Sequence, residues 1–292
     1  MAFQRLVRFH PKSSPSSILL GQPVSADVDV GLAVHNGDDV PCHIFSGTSI
    51  LNPGTIADRT HTESIGTLLS PLSQSEVGTI RCIGLNYRAH ADEGGFAHPT
   101  VPPVFFKPAQ SLTGPGEVVI PKLSQEDDCA DFEAELGVVL GKAAKNVKAA
   151  DALDYVLGYT ACNDVSSRTS QLQGGGGQWS FSKSFDGACP TGPVVVHRSQ
   201  VSDPDVLRVT GRLNGKVMQT SGVDDLIFSV PRLIEYLSQS QTLPAGTLIV
   251  TGTPAGVGFA RKPKVSLRHG DIFNVEVTGG VGTLVNRFVN EQ

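Results

Sequence analysis

Residues 131–141, DFEAELGVVLG, combine an acidic alternation with an apolar run. Asp131, Glu133 and Glu135 occupy alternate positions, and the segment after them is typical of a buried strand. Because residues i, i+2 and i+4 of a strand face the same side, the pattern predicts three carboxylates on one face. Like charges at that spacing repel each other. The segment therefore indicates either a bound cation or an exposed polar strand face.

Asp164, in GYTACNDVSSR at residues 158–168, is the next informative acid. It follows an apolar run at the end of a predicted strand, where a buried carboxylate needs an ion pair or a metal. Together with Glu133 and Glu135 it would form an all-oxygen site. Hard carboxylate ligands favour Mg²⁺, Mn²⁺ or Ca²⁺ over zinc.

The composition predicts a globular, mainly β protein with some α-helix. The chain has 292 residues, of which 39% are hydrophobic and 17% are charged. This length suits one large domain or two modest ones. The 32 glycines and 19 prolines indicate many turns and short connections.

Charge, hydropathy and cysteine content exclude several classes of protein. The net charge is −5 and the basic residues are scattered, which argues against a nucleic-acid partner. No run of 18 apolar residues occurs, so we expect no membrane span. The five cysteines form no CxxC pair and predict neither zinc nor a disulfide framework.

Residues 1–72 predict a small β-rich N-terminal region, followed by a catalytic domain over residues 73–292. Near the start, RLVRF alternates like a first strand, although its basic residues also fit a weak organelle-targeting signal. We favour the strand. The sequence then indicates an intracellular, cytoplasmic protein, with the mitochondrion as the alternative.

Several local patterns predict individual elements. YRAHADEGG indicates a short helix ended by two glycines, and FSVPRLIEYLSQS indicates another helix. Asn214-Gly215 predicts a hairpin turn. The glycines at 174–177 form either a lid that closes on substrate or a plain flexible loop.

Six stretches between about residue 80 and residue 290 resemble the fumarylacetoacetate hydrolase family, in the family's order. The resemblance is closest to the members that act on 2-keto acids and oxaloacetate. The stretches are CIGLNYRAHADE, PPVFFKPAQSLTGPG, FEAELGVVLGK, VLGYTACNDVSSR, QWSFSKSFDGACPTGP and VTGTPAGVG.

The resemblance implies a mixed β-sandwich roll built around a divalent metal, Mg²⁺ or else Mn²⁺ or Ca²⁺, and a homodimer. It places the metal ligands on Glu133, Glu135 and Asp164. It also implies a catalytic pair, His90 and Glu93. Residues three apart on a helical turn face each other, so Glu93 would orient His90 as general base.

The resemblance also implies a set of residues around the substrate. Lys183 matches the family's active-site lysine, which would bind a carboxylate or stabilise an oxyanion. Arg168 would clamp a substrate carboxylate. Gln171, Lys107, Ser111 and Thr253 complete the implied substrate-binding set. The chain departs from the family pattern at Thr169 and at residues 186–188, which affects the expected substrate.

These features imply a metal-dependent enzyme that acts on a small 2-oxo or β-diketo acid, acylpyruvate-like or oxaloacetate-like, through a metal-stabilised enolate. Hydrolysis of a C–C bond is the first expectation. Tautomerisation or isomerisation of an oxaloacetate-like substrate is a close alternative, and decarboxylation is the third. The alternative from a different functional class is a binding protein that has the same fold and no catalytic activity.

Overall fold

Strands form most of the regular structure in the computed structural model, which describes residues 3–292. The strands are β1 Arg5–Pro11, β2 Leu19–Pro23, β3 Pro41–Ile44, β4 Thr62–Leu69, β5 Ile80–Ile83, β6 Val104–Lys107, β7 Leu112–Thr113, β8 Gly116–Ile120, β9 Ala130–Asp131, β10 Ala134–Leu140, β11 Val156–Asn163, β12 Ser166–Ser167, β13 Cys189–His197, β14 Arg208–Leu213, β15 Lys216–Gly222, β16 Leu248–Val250, β17 Ile272–Val277 and β18 Gly282–Asn290.

The helices are short. They are α1 Val30–His35, α2 Gln74–Val77, α3 Arg88–Glu93, α4 Lys122–Gln125, α5 Trp179–Ser182 and α6 Val230–Leu237. Short 3-10 helices occupy Ala109–Ser111, Ala149–Tyr155, Pro204–Val206, Val223–Asp225 and Gly258–Ala260, and a π-helical turn occupies Ser170–Gly174. Within residues 3–292, no helix has the length and apolar character needed to cross a bilayer.

Two large sheets organise the chain. The larger runs in the order β2-β3-β4-β1-β13-β11-β10-β16-β5-β6, with β7 beside β13. Since β2 also pairs with β1, the first four strands close on themselves, and β1 joins them to β13. The second sheet runs β15-β14-β17-β18-β8. Antiparallel and parallel pairs occur together, which confirms the predicted mixed, mainly β fold.

The two sheets pack through a shared apolar core. Phe132, directly before β10, stacks on Phe273 of β17 with ring centroids 4.5 Å apart. Both side chains are fully buried. Every residue of β10 is buried as well, as its nearly continuous apolar sequence predicts. The acidic end of this strand therefore lies inside the protein.

Local sequence signals predicted several elements correctly. RLVRF lies in β1, and α3 ends at Glu93, before Gly94. Asn214 and Gly215 both have positive φ angles, 49° and 81°, as the tight turn between β14 and β15 requires. The division into regions 1–72 and 73–292 stays a prediction.

The expectation of one continuous strand over residues 131–136 is wrong. The strand is interrupted at Phe132 and Glu133, between β9 and β10. The Glu133 N–H donates to the Asn163 side-chain oxygen at 3.0 Å instead of joining the backbone ladder. Asp131 is outside the group that the other two acids form with Asp164.

Candidate active site

Three buried carboxylates meet where β10 and β11 lie side by side. β10 and β11 pair antiparallel with Glu135 opposite Cys162, and the Asp164 N–H donates to the Glu133 carbonyl at 2.9 Å. This register brings one carboxylate oxygen each from Glu133, Glu135 and Asp164 within 4.8 Å of one another. The predicted group of acids is therefore brought together by the fold.

Two of these acids are neutralised by buried cations. Lys183 Nζ lies 2.7 Å from Asp164 Oδ2 and 3.0 Å from Glu133 Oε2, and Lys107 Nζ lies 2.7 Å from Asp164 Oδ1. Burial alone would raise the pKa of Glu133, but the charges of Lys183 and Arg168 outweigh it and lower the pKa to about 2. Burial likewise opposes the charge of Lys183, yet its acidic neighbours raise its pKa.

Asp131 has a different role from its neighbours in sequence. Its Oδ2 accepts from Arg168 Nε at 2.8 Å, and its Oδ1 accepts from the Gly258 N–H at 2.9 Å. Arg168 also places Nη2 2.6 Å from Glu133 Oε1 and donates from Nη1 to Gln171 Oε1 at 2.9 Å. Asp131 therefore holds Arg168 against Glu133. This role of Asp131 is not apparent from the sequence, where the alternation predicts a continuous strand.

Glu135 is the exception in this charged group. It is buried, and within residues 3–292 it has no ion pair with a lysine, arginine or histidine. Its Oε2 accepts from the Gly252 N–H at 2.5 Å. Burial, and then the nearby charges of Asp164 and Glu133, raise its pKa well above the ordinary value. A buried carboxylate without a counter-charge beside two others is a donor set that fits a hard divalent cation.

The predicted His90 and Glu93 pair lies on α3. His90 Nδ1 is 3.4 Å from Glu93 Oε2, at the spacing of neighbouring residues on one helical turn. The Gly256 N–H donates to both carboxylate oxygens of Glu93, at 2.9 and 3.1 Å. Burial opposes ionisation of Glu93, but its hydrogen bonds from His90 and Gly256 lower its pKa. An ionised, anchored Glu93 can orient the imidazole of His90.

A cavity of about 380 Å³ is lined by Glu133 and by the His90–Glu93 pair, whereas Glu135 and Asp164 are buried and are not among its lining residues. Its polar lining comes from Glu133, from its neighbours and from α3, and the rest of its wall is mainly apolar. The polar lining residues are His90, Glu93, Glu133, Arg168, Gln171, Lys183 and Thr253. The other lining residues are Ile83, Gly84, Leu85, Gly94, Phe96, Phe105, Leu172, Trp179, Val257, Phe259 and Ala260.

Residues 79–289 match the family described as Fumarylacetoacetate (FAA) hydrolase C-terminal. The chain belongs to this family. The match covers most of the sequence and includes the three carboxylates, the histidine–glutamate pair and the buried lysines. The family predicted from the sequence is thereby confirmed.

Three similar proteins indicate the range of chemistry in the family. Caffeoylpyruvate hydrolase of Neonothopanus nambi is 40% identical over 295 residues, covering 99% of this chain and 94% of that protein. Human mitochondrial oxaloacetate tautomerase FAHD2A is 41% identical over 224 residues, covering 76% and 69%. The structure of 5-carboxymethyl-2-hydroxymuconate delta-isomerase from Mycobacterium smegmatis has a TM-score of 0.79 at 30% identity, covering 98% and 100%. Hydrolase, tautomerase and isomerase names thus occur among its relatives.

The substrate-binding residues implied by the family resemblance fall into two groups. Arg168, Gln171 and Thr253 line the cavity, and Thr253 donates to the Ala134 carbonyl at 3.0 Å. Lys107 and Ser111 are fully buried and are not among the lining residues. Lys107 lies behind the carboxylates, and its substrate contact, like that of Ser111, stays a prediction.

Aromatic side chains of the cavity were missed by the sequence analysis. Phe105 lies on β6, Trp179 begins α5, and Phe96 and Phe259 lie near the opening, with exposed fractions of 57% and 38%. The stretches PPVFFKP and QWSFSKS contain two of them beside the predicted polar residues. The aromatic residues close to Lys107 and Lys183 in these stretches could have indicated an aromatic wall of the cavity.

Replacing Lys107 by methionine is expected to destabilise the protein. Methionine matches the length of lysine but leaves Asp164 with one cation fewer, and it leaves the Lys183 and Ala188 carbonyls without this donor. Removing one partner of a buried ion pair costs about 3–5 kcal/mol. Urea unfolding without added metal measures the loss, with exposed Lys216→Met as control. An equal stability of the two variants would contradict the prediction.

Proposed function

We propose that the protein hydrolyses a C–C bond of an acylpyruvate-like 2,4-dioxo acid and uses Mg²⁺. The main support is the convergence of three buried carboxylates, one of them without a counter-charge, of which Glu133 lines the cavity that also contains the His90–Glu93 pair. The similarity to caffeoylpyruvate hydrolase over nearly the whole chain supports the choice of an acylpyruvate.

Each polar residue has a distinct part in this proposal. Glu133, Glu135 and Asp164 would hold the metal, which when bound supplies Lewis-acid polarisation of a carbonyl oxygen. Lys183 fixes the orientation of two of these ligands through its contacts with Asp164 and Glu133. Arg168 holds Glu133 from the other side. The carboxylates thus have a fixed geometry before substrate binds.

His90 would act as general base, oriented by Glu93. It would take a proton from a water molecule whose oxygen adds to the acyl carbonyl carbon of the substrate. The bond between that carbon and the methylene carbon then breaks, and its electron pair is left on the three-carbon fragment. His90 returns the proton to the methylene carbon. The products are a carboxylic acid and pyruvate, which together account for the substrate and one water.

The test is turnover of acetylpyruvate by the purified full chain with Mg²⁺ and with excess EDTA. We expect one pyruvate and one acetate for each acetylpyruvate consumed, and loss of the reaction in EDTA. Disappearance of the enol absorbance without pyruvate release would contradict hydrolysis. Turnover that persists unchanged in EDTA would contradict the metal requirement.

Oxaloacetate tautomerisation is the second candidate. It is favoured by the FAHD2A relatives, which match this chain over 224 residues at 40–41% identity. Tautomerisation needs a base to move one proton between carbon and oxygen, and His90 could serve this purpose as well. An accelerated enol-to-keto conversion of oxaloacetate, with no turnover of acetylpyruvate, would select this candidate.

We also propose that the chain forms a homodimer and acts in the cytoplasm, with the mitochondrion as the alternative. Exposed apolar residues such as Phe96 and Val206 offer surface for self-association. Size-exclusion chromatography with light scattering would test the dimer, and imaging of a tagged full chain would test the location. The mitochondrial alternative is supported by the relatives named as mitochondrial.

A further inference from the structure

One wall of the cavity is apolar, although the substrates proposed so far are acids. At its centre are Gly84, which directly follows β5, Phe105 of β6 and Trp179 at the start of α5. We call these three residues the aromatic corner. Phe105 is buried and Trp179 is partly buried, so the indole is covered by protein on one side and faces the cavity on another.

The position of the indole depends on its two neighbours. The Phe105 and Trp179 rings form an edge-to-face pair with centroids 5.7 Å apart and an interplanar angle of 71°. A Cβ atom added at Gly84 would lie 1.9 Å from Trp179 Cζ3 and 2.7 Å from Cη2. The requirement for glycine is therefore steric, because any side chain at position 84 displaces the indole.

The aromatic corner begins where the charged floor of the cavity ends. Lys183, which contacts two of the carboxylates, follows α5 four residues after Trp179. Its Nζ lies 5.2 Å from the centroid of the Phe105 ring. A 2-oxo acid held at the carboxylate group therefore has the aromatic corner within reach of its far end.

The corner offers no cation to a second carboxylate. Among the residues that line the cavity, the lysines and arginines are Lys183 and Arg168. Lys183 contacts Asp164, Glu133 and the Ser166 hydroxyl, and Arg168 contacts carboxylates through Nε and Nη2. A second carboxylate in the corner would be desolvated without a partner, whereas an apolar group would gain contact area.

We propose that Gly84, Phe105 and Trp179 form the subsite for the acyl group and select a planar aromatic acyl group over a small aliphatic one. The assignment of the bound group as an acyl group rests on the proposed hydrolysis of acylpyruvates. The selectivity itself rests on the shape and charge of the corner.

Steady-state kinetics with benzoylpyruvate and acetylpyruvate tests the selectivity. Both substrates are 2,4-dioxo acids, and they differ only in the group on the acyl carbonyl, which is phenyl in benzoylpyruvate and methyl in acetylpyruvate. We expect Trp179→Ala and Gly84→Ala each to lower the ratio of kcat/KM for benzoylpyruvate to that for acetylpyruvate by about tenfold or more. Phe181→Ala is the matched control, because Phe181 lies on the same helix, is 68% exposed and does not line the cavity. Gly174→Ala controls the glycine change, since the nearest atom to its added Cβ is 3.9 Å away.

A binding experiment gives a readout that does not need turnover. 2-Oxo-4-phenylbutanoate and 2-oxopentanoate lack the second carbonyl and differ in phenyl against methyl at the far end. Trp179 is the single tryptophan of the chain, so its fluorescence reports on the corner alone. With Mg²⁺ present, we expect 2-oxo-4-phenylbutanoate to change the emission of Trp179. By calorimetry it should bind at least about tenfold more tightly than 2-oxopentanoate. Gly84→Ala should remove this preference for the phenyl compound.

The outcomes separate the two proposals. Cleavage of acetylpyruvate with no phenyl preference, or an unchanged Trp179 emission on saturation with the phenyl compound, would overturn the subsite and leave hydrolysis intact. Phenyl-selective binding with a change in Trp179 emission, but no cleavage of either acylpyruvate, would support the subsite and overturn the hydrolysis. An unaltered ratio in both Trp179→Ala and Gly84→Ala would also overturn the subsite.

Discussion

Replacing Glu135 by glutamine is expected to abolish the response to Mg²⁺ and to reduce kcat/KM by at least about 1,000-fold, since Lewis-acid stabilisation supplies several kcal/mol. The change keeps the size of the side chain, and its carbonyl oxygen can still accept from the Gly252 N–H. It removes the one buried carboxylate of the group that has no ion pair in the described chain. The metal would lose a charged ligand.

The same substitution is expected to stabilise the metal-free protein by about 1–3 kcal/mol, because Glu135 must there either take up a proton or carry a buried charge that nothing compensates, and glutamine does neither. The buried cluster contains four carboxyl groups and three cations, so that one negative charge would be in excess if Glu135 were ionised. The acids are Asp131, Glu133, Glu135 and Asp164, and the cations are Lys107, Arg168 and Lys183. Greater stability and lower activity in one variant would identify the excess charge as a feature retained for metal binding.

Thermal melting with and without Mg²⁺ measures both effects of Glu135→Gln. In the parent protein, Mg²⁺ at one hundred times its Kd should add about 2.7 kcal/mol of stability, and the variant should show no shift. Glu93→Gln is the matched control at the same cavity, because Glu93 is outside the three-carboxylate group and its variant should keep the shift. A parent protein that shows no shift with Mg²⁺, Mn²⁺ or Ca²⁺ would contradict a metal site on these residues.

The sequence alone specified the parts of the fold that depend on local patterns. The apolar run of β10, the Asn214-Gly215 turn and the helix beginning at Val230 each carry their signal within about ten residues. Glu133, Glu135 and Asp164 could be grouped because acids directly beside apolar strands have few ways to remain buried. The resemblance to the family then fixed the order of the elements.

Contacts between distant segments were beyond the sequence. The contact of Arg168 with a substrate carboxylate stays a prediction, but its contacts with Asp131, Glu133 and Gln171 were not predicted. The interrupted strand that turns Asp131 toward Arg168 leaves no local pattern. The aromatic corner likewise combines three segments through tertiary packing. Such contacts depend on strand register and on side-chain direction, which a periodicity of two or 3.6 residues does not specify.

His90→Ala is expected to lower kcat about 100- to 10,000-fold while the Mg²⁺ shift in melting temperature is retained. His90 lines the cavity but is outside the carboxylate group, so its loss should affect proton transfer and spare metal binding. Its partner Glu93 is anchored by the Gly256 N–H and would remain in place.

The matched control for His90→Ala is His98→Ala, which removes another histidine of the same segment. His98 Nε2 lies 2.9 Å from Asp92 Oδ1, a second histidine–carboxylate pair, but both side chains are exposed and neither lines the cavity. His98→Ala should therefore retain both kcat and the Mg²⁺ shift. An unchanged kcat in His90→Ala would remove His90 as the base, whereas loss of the Mg²⁺ shift in that variant would instead place the imidazole among the metal ligands. Because the two histidines differ mainly in their access to the cavity, the pair of variants separates proton transfer from a general effect of losing a surface ion pair.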